Sequence, residues 1–272
     1  MVIIQIPFLS LNKMYESAYA PRWIKLMDNK YVVINGDKAV KVEQKKERFA
    51  FNCSDEEFFQ TWFHYFDLGY DYARAYYRAG MIDKDLKEII VRAKGIRNIK
   101  QPLIETIYTV AMLRDNPDFF KDNRDFLFSN CGEVRKNSMR EAGKVKWYAT
   151  PSFETVWKNK KVADEFPFLN LVASKLLHIT SANETDINDW SKKRLGLCLL
   201  GCGFTKEEVR LIFSLCLGTN SIINNDLLEH TTERTWGCDW RTFSEWFISN
   251  EDSFLIAQCI LWDVKNRKDG KN

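Results

Sequence analysis

LCLLGCGFTKEEVRLIFSLCLGTNSIINNDLLEH, spanning Leu197–His230, is the stretch whose reading decides the fold. It divides into an apolar helix, a glycine-bearing hairpin, a second helix that opens with Thr-Lys, and a loop ending in Asn224-Asn225-Asp226. Gly201 and Gly203 carry no Cβ, so the hairpin backbone can come close to another molecule. Thr205 and Glu208 stand at capping-box spacing, where each side chain satisfies a backbone N–H that the helix start leaves open. That box sets Lys206 in the first turn of the second helix, with Arg210 one turn further along the same face. Backbone N–H groups at a helix start bind phosphate well, so such a pair can grip a duplex without reading its sequence.

The rest of the chain bounds what this hairpin belongs to. The 272 residues are 45% hydrophobic and 14% aromatic, enough for one large domain or two that share a core. No apolar run approaches the roughly 18 residues a membrane span requires. The opening MVIIQIPF lacks the basic region of a signal peptide and reads as a strand, so a soluble, cytoplasmic protein is expected. Seven cysteines, an odd number with no C-x-x-C pair, read as reduced core thiols. His64, His178 and His230 are far apart and read as structural, so no metal site is expected. The net charge of +3 neither demands nor excludes nucleic acid. Residues 135–161, however, are dense in Lys and Arg and interleave Trp147, Tyr148, Phe153 and Trp157. That pattern suits a phosphate backbone with unstacked bases, and equally a solvated surface insertion.

Periodicity organises the chain into a sheet followed by helices. Residues 2–8, 31–34, 39–43 and 48–53 alternate as strands, and Asn35-Gly36 suits a tight hairpin turn. Ser54-Asp-Glu-Glu then caps a helix over 56–65. Further helices are predicted near 71–79, 85–93, 103–113, 163–179, 240–248 and 253–265, whereas 118–150 shows no clean period. The expected fold is α+β and mostly helical. An N-terminal antiparallel sheet domain over 1–66 packs on an all-α domain over 67–272, with the helix-hairpin-helix at about 192–217 and its loop running to 230.

Several islands recur in an order that resembles the 8-oxoguanine DNA glycosylase family of the helix-hairpin-helix superfamily. Ala18-Tyr-Ala-Pro-Arg-Trp23 occupies the place of the family's Gly-Gln-Ser-Phe-Arg-Trp, matching at Arg22 and Trp23. Tyr65-Phe-Asp-Leu68 resembles Tyr-Phe-x-Leu, and Ile96-Arg-Asn-Ile-Lys-Gln101 with Glu105 resembles (Val/Ile)-Arg-x-x-Arg-Gln-x-x-x-Glu. The hairpin follows, and Ile256-Ala-Gln258 through Trp262 resembles the family's Ala-Gln-x-x-x-aromatic ending. Aligning Thr-Lys sets Lys206 at the family's lysine, with Gly201 at a proline and Phe204 at a glycine. Aligning Gly-Cys-Gly instead sets Thr205 there, and the capping box favours the first register.

The resemblance implies a catalytic pair, Asp226 and Lys206, and double-stranded DNA as partner; no cofactor is expected, since Cys238 and Cys259 alone cannot hold the iron–sulfur cluster that some glycosylases with this hairpin carry. It implies a base pocket of Gln258, Trp262, Arg210 and Ala18. A glutamine can read a base edge and an aromatic can stack on it, while Arg210 and Ala18 replace the family's cysteine and glycine. DNA contacts fall on Gly201, Gly203, Thr205, Arg114 and Asn116, the last two in the partly kept wedge Arg114-Asp115-Asn116. A monomer that associates with the nucleoid is expected. Its substrate is 8-oxoguanine or another modified base, such as a bulky modified cytosine of phage DNA, the latter suggesting anti-phage defence. The rival expectation is a non-catalytic DNA-binding module that keeps the fold.

Overall fold

A computed structural model describes residues 1–16, 22–81, 84–116, 126–136, 145–217 and 253–268. Ala18, Asp226 and the helix expected at 240–248 lie outside them. The chain forms two compact units. The first comprises Met1–Ile34, Val40–Gln101 and Phe213–Asn272; the second comprises Asn35–Ala39 and Pro102–Ile212.

The first unit is built on an antiparallel five-stranded sheet in the order β1-β5-β4-β3-β2. Its strands are β1 (Val2–Gln5), β2 (Trp23–Met27), β3 (Lys30–Asn35), β4 (Lys38–Lys45) and β5 (Arg48–Phe51). Phe51 pairs with Val2 on one side and Val42 on the other, so β5 is hydrogen-bonded on both edges. Among the turn residues of the β3–β4 hairpin, the positive φ falls on Gly36 (62°). Strand β2 and helix α1 (Leu11–Glu16) are additions to the periodicity reading.

Val33, Val40, Val42, Phe49 and Phe51 are fully buried under the helical run at residues 55–65, here α2. Phe51 meets Phe58 and Phe66 edge-on, at 5.0 and 5.5 Å between ring centroids. Ser54 caps α2 as expected, accepting from the Glu57 N–H at 3.1 Å. Helices α3 (Tyr72–Ala79) and α4 (Lys84–Ala93) follow. The C-terminal helix Ser253–Lys268 packs on α4. The sheet thus shares its unit with helices far beyond residue 66, where the sequence reading ended the first domain.

In the second unit, α5 (Leu103–Asp115) leads through α6 (Phe126–Cys131) to a short antiparallel pair, β6 (Val134–Lys136) and β7 (Lys146–Tyr148). Helices α7 (Phe153–Lys158), α8 (Lys160–Glu165), α9 (Pro167–Asn183) and α10 (Lys192–Cys202) follow. α9 is the hub, touching α5, α7, α8 and α10. It starts at Pro167 rather than running through it, because proline lacks the N–H and clashes with the preceding turn. Within residues 135–161, Trp147 and Phe153 are buried, whereas Trp157 is exposed. Part of that aromatic pattern is therefore core.

α11 (Lys206–Leu217) begins in the second unit and ends in the first. No helix among the described residues is long and apolar enough to cross a membrane.

Candidate active site

The hairpin lies in the second unit. α10 is capped by Ser191 and ends at Gly203, whose φ of 108° suits only glycine. Its N–H returns to Leu200 O at 3.0 Å, and that of Phe204 to Leu199 O at 3.2 Å. The capping box is formed: Thr205 N–H donates to Glu208 Oε2 at 2.7 Å, and Glu208 N–H to Thr205 Oγ1 at 3.2 Å. Lys206 and Arg210 are both exposed on the helix that this cap starts.

Two cations hold the hairpin from within the same unit. Arg114 Nη1 donates to Gly203 O at 2.7 Å and lies 3.2 Å from Glu208 Oε2. Its guanidinium also stacks 4.1 Å from the ring centre of Phe168, which meets Phe204 edge-on. Lys175 Nζ donates to Gly201 O at 3.1 Å and Cys202 O at 3.4 Å. Asp115 accepts from the N–H groups of Phe168 and Leu169, capping α9. Asn116 closes α5, its N–H bonded to Met112 O at 2.9 Å. Arg114 and Asp115 of the expected wedge are thus engaged inside the protein. Gly201 is exposed, and a Cβ placed on it would meet nothing within 4 Å. The space beside its Cα is open to an outside partner.

The remaining motif islands meet in the first unit. Trp23 Nε1 donates to Tyr65 Oη at 3.0 Å, Lys100 N to Tyr65 O at 3.0 Å, and Arg97 Nη1 to Phe66 O at 3.3 Å. Gln101 N donates to Leu215 O at 2.9 Å, fixing the end of α11 to this junction. Arg97 is buried with its guanidinium 4.0 Å from the Tyr72 ring centre; burial pulls its pKa down from the usual value.

Gln258 and Trp262 belong to this unit. Gln258 is buried, and its Nε2 donates to Asn98 Oδ1 at 2.8 Å. Trp262 is half-buried, with the Lys13 ammonium 5.1 Å from its ring centre. Lys13 donates to Lys94 O at 2.9 Å and also to Arg92 O, and burial lowers its pKa. One turn beyond Gln258's neighbour Cys259, the buried Asp263 accepts from Arg92 Nε at 2.7 Å and pairs with Arg267 Nε at 2.8 Å. Of the expected pocket, then, Gln258 and Trp262 share one unit, and Arg210 stands on the part of α11 assigned to the other. Asn98 and Lys13 were not foreseen. Neither has a local spacing signal, since each reaches its partner across the chain.

Residues 1–107 match the family described as 8-oxoguanine DNA glycosylase, N-terminal domain. The chain is similar to MBOgg1, solved in complex with a low-affinity DNA ligand, at 19% identity and a TM-score of 0.78, covering 98% of this chain and 96% of that one. It is similar to the 8-oxoguanine glycosylase/lyase of Clostridium acetobutylicum, solved with double-stranded DNA containing cytosine opposite 8-oxoguanine. There the identity is 15%, the TM-score 0.75 and the coverage 99% of each chain. A third likeness, to the 3-methyladenine DNA glycosylase of Archaeoglobus fulgidus, has 14% identity and a TM-score of 0.71, covering 98% of this chain and 99% of that one. No curated protein matches the chain.

Proposed function

We propose that this chain, a divergent member of the 8-oxoguanine DNA glycosylase family, flips a modified base out of duplex DNA and cleaves its N-glycosidic bond. The observation that carries the reading is the hairpin. A glycine-only turn at Gly203 is followed at once by a formed capping box that sets Lys206 in the first turn of α11.

C1′ is inaccessible inside a paired helix, so the nucleotide must leave the stack before its bond can break. Positive charge then develops at C1′, and the Asp226 carboxylate stabilises it and takes a proton from the attacking group. Lys206 attacks C1′ through its amine nitrogen as the base leaves. The resulting Schiff base permits strand cleavage by elimination. If water attacks instead, the product is a bare abasic site.

Gln258 and Trp262 read and stack on the flipped base, and Ala18 lines the pocket. Gly201, Gly203 and Thr205 approach the phosphate backbone, Arg114 serves the strand interface by bracing the hairpin at Gly203 O, and Asn116 lies near it in sequence for the strand itself. Arg210, in place of the family's cysteine, suits a polar adduct, so the substrate is 8-oxoguanine or a differently modified base, including the modified cytosines of phage DNA. We assign the protein to the nucleoid as a monomer.

Borohydride trapping on a panel of modified-base duplexes tests this reading. A covalent adduct that disappears in Lys206→Gln supports the lyase route. Released base without an adduct supports water as nucleophile. Tight duplex binding with neither product supports the non-catalytic module and overturns the enzyme.

A further inference from the structure

We infer that Asn98 is a positioning residue: it fixes which end of the Gln258 carboxamide faces the flipped base, and so selects bases that present an N–H donor there. The inference rests on the glycosylase reading above and names the part of the pocket that sets its polarity. A glutamine amide offers a donor at one end and an acceptor at the other, and an unanchored one can turn over to suit either partner. Here Gln258 Nε2 is committed to Asn98 Oδ1 at 2.8 Å, between two residues each 5% exposed. With Asn98 Oδ1 facing it, turning the Gln258 amide over would set two oxygens against each other in a buried setting. The Oε1 end therefore points away from Asn98, and a base approaching there meets an acceptor.

The main chain that carries Asn98 is itself held: its backbone N–H donates to Tyr72 Oη at 2.9 Å, and that hydroxyl donates onward to Asp67 Oδ2 at 2.9 Å. Lys100 Nζ balances Asp67 from 3.2 Å. Burial holds the Tyr72 pKa well above its ordinary value, so the hydroxyl keeps the proton it donates. The relay ties three of the sequence islands, at 65–68, 96–101 and 256–262, to one polar line.

The test uses the full chain carrying Asp226→Asn, which leaves binding without chemistry. Affinities are measured for duplexes containing 8-oxoguanine, 5-hydroxymethylcytosine or a tetrahydrofuran abasic analogue. Adding Asn98→Leu should lower the preference for the favoured base over the abasic analogue about tenfold, the worth of one hydrogen bond. Affinity for the analogue itself should not change, and Asn98→Asp, which keeps an acceptor, should retain the preference. In 15N-labelled protein without DNA, the Gln258 side-chain amide, assigned by its loss in Gln258→Ala, should exchange slowly in the parent and fast in Asn98→Leu. Thermal melting checks that each variant is folded. An unchanged preference in folded Asn98→Leu, with wild type still excising a base, overturns the role of Asn98 alone. A Gln258 amide that exchanges at the solvent rate in the parent overturns it as well. If wild type neither prefers nor excises any base, both readings fall together.

Discussion

Cys198 and Cys202 stand one turn apart on α10, just before the hairpin, and their thiols share a proton unevenly. The Cys202 thiol donates to Cys198 and pulls its pKa down to about 7, with Arg194 adding to the effect, while Cys202 itself is pushed up. Burial raises Cys53 and Cys131 to about 11 instead. The thiolate is the reactive form, so iodoacetamide at pH 7 should label Cys198 first, with a half-maximal rate near the depressed value. Cys202→Ala should move that midpoint up toward the ordinary thiol range; equal labelling of Cys198 and Cys53 would contradict it. At this scale, what the sequence disclosed was local. The Thr205–Glu208 box was legible because three-residue spacing determines it. The contact between Gln258 and Asn98 was not, because it joins positions 160 residues apart and leaves no periodic trace.

The hairpin's two glycines do different work as parts of their elements, though their spacing makes them look alike. Gly203 needs its positive φ, and an added Cβ would press on Phe168 at 3.4 Å. Gly203→Ala should therefore cost about 1–2 kcal/mol of stability, read as a lowered midpoint in urea. Gly201 is helical with open space beside it, so Gly201→Ala should stabilise by about 0.5–1 kcal/mol. If DNA approaches there, the same variant should bind duplex more weakly. A Gly201→Ala protein that is more stable and binds DNA unchanged would remove Gly201 from the interface. The closing helix Ser253–Lys268 is tied to α4 through the buried Asp263 and Arg92, while Arg267 of the same helix pairs with the other Asp263 oxygen. Asp263→Asn should cost about 1–3 kcal/mol, the range for hydrogen bonds to charged groups, checked by the same denaturation. A loss below a few tenths would mean the apolar contact between those helices suffices. Pro167 shows how an element boundary escapes periodicity: the apolar pattern runs through it, but its missing N–H divides α8 from α9. Strand β2 escaped for another reason, since Trp23–Met27 is short and was taken up by the Arg22-Trp23 motif.

Over the whole molecule, the class was legible because alternation gives way to a helical period near residue 54, and because the islands keep one order. The division into units was less so. It depends on which helices join the sheet's unit, and the C-terminal helix returns to that unit by packing on α4. The basic aromatic segment misled in part, since composition cannot tell Trp147, which is core, from Trp157, which is exposed. The likeness to solved glycosylase structures runs along almost the whole of both chains, so the shared fold extends well beyond residues 1–107. The central measurement is mass-spectrometric detection of free base released from duplexes carrying a panel of modified bases. The account predicts release of at least one base by wild type, and loss of that release in Asp226→Asn with duplex binding retained. No released base from any duplex, with Asp226→Asn binding DNA as wild type does, would contradict it.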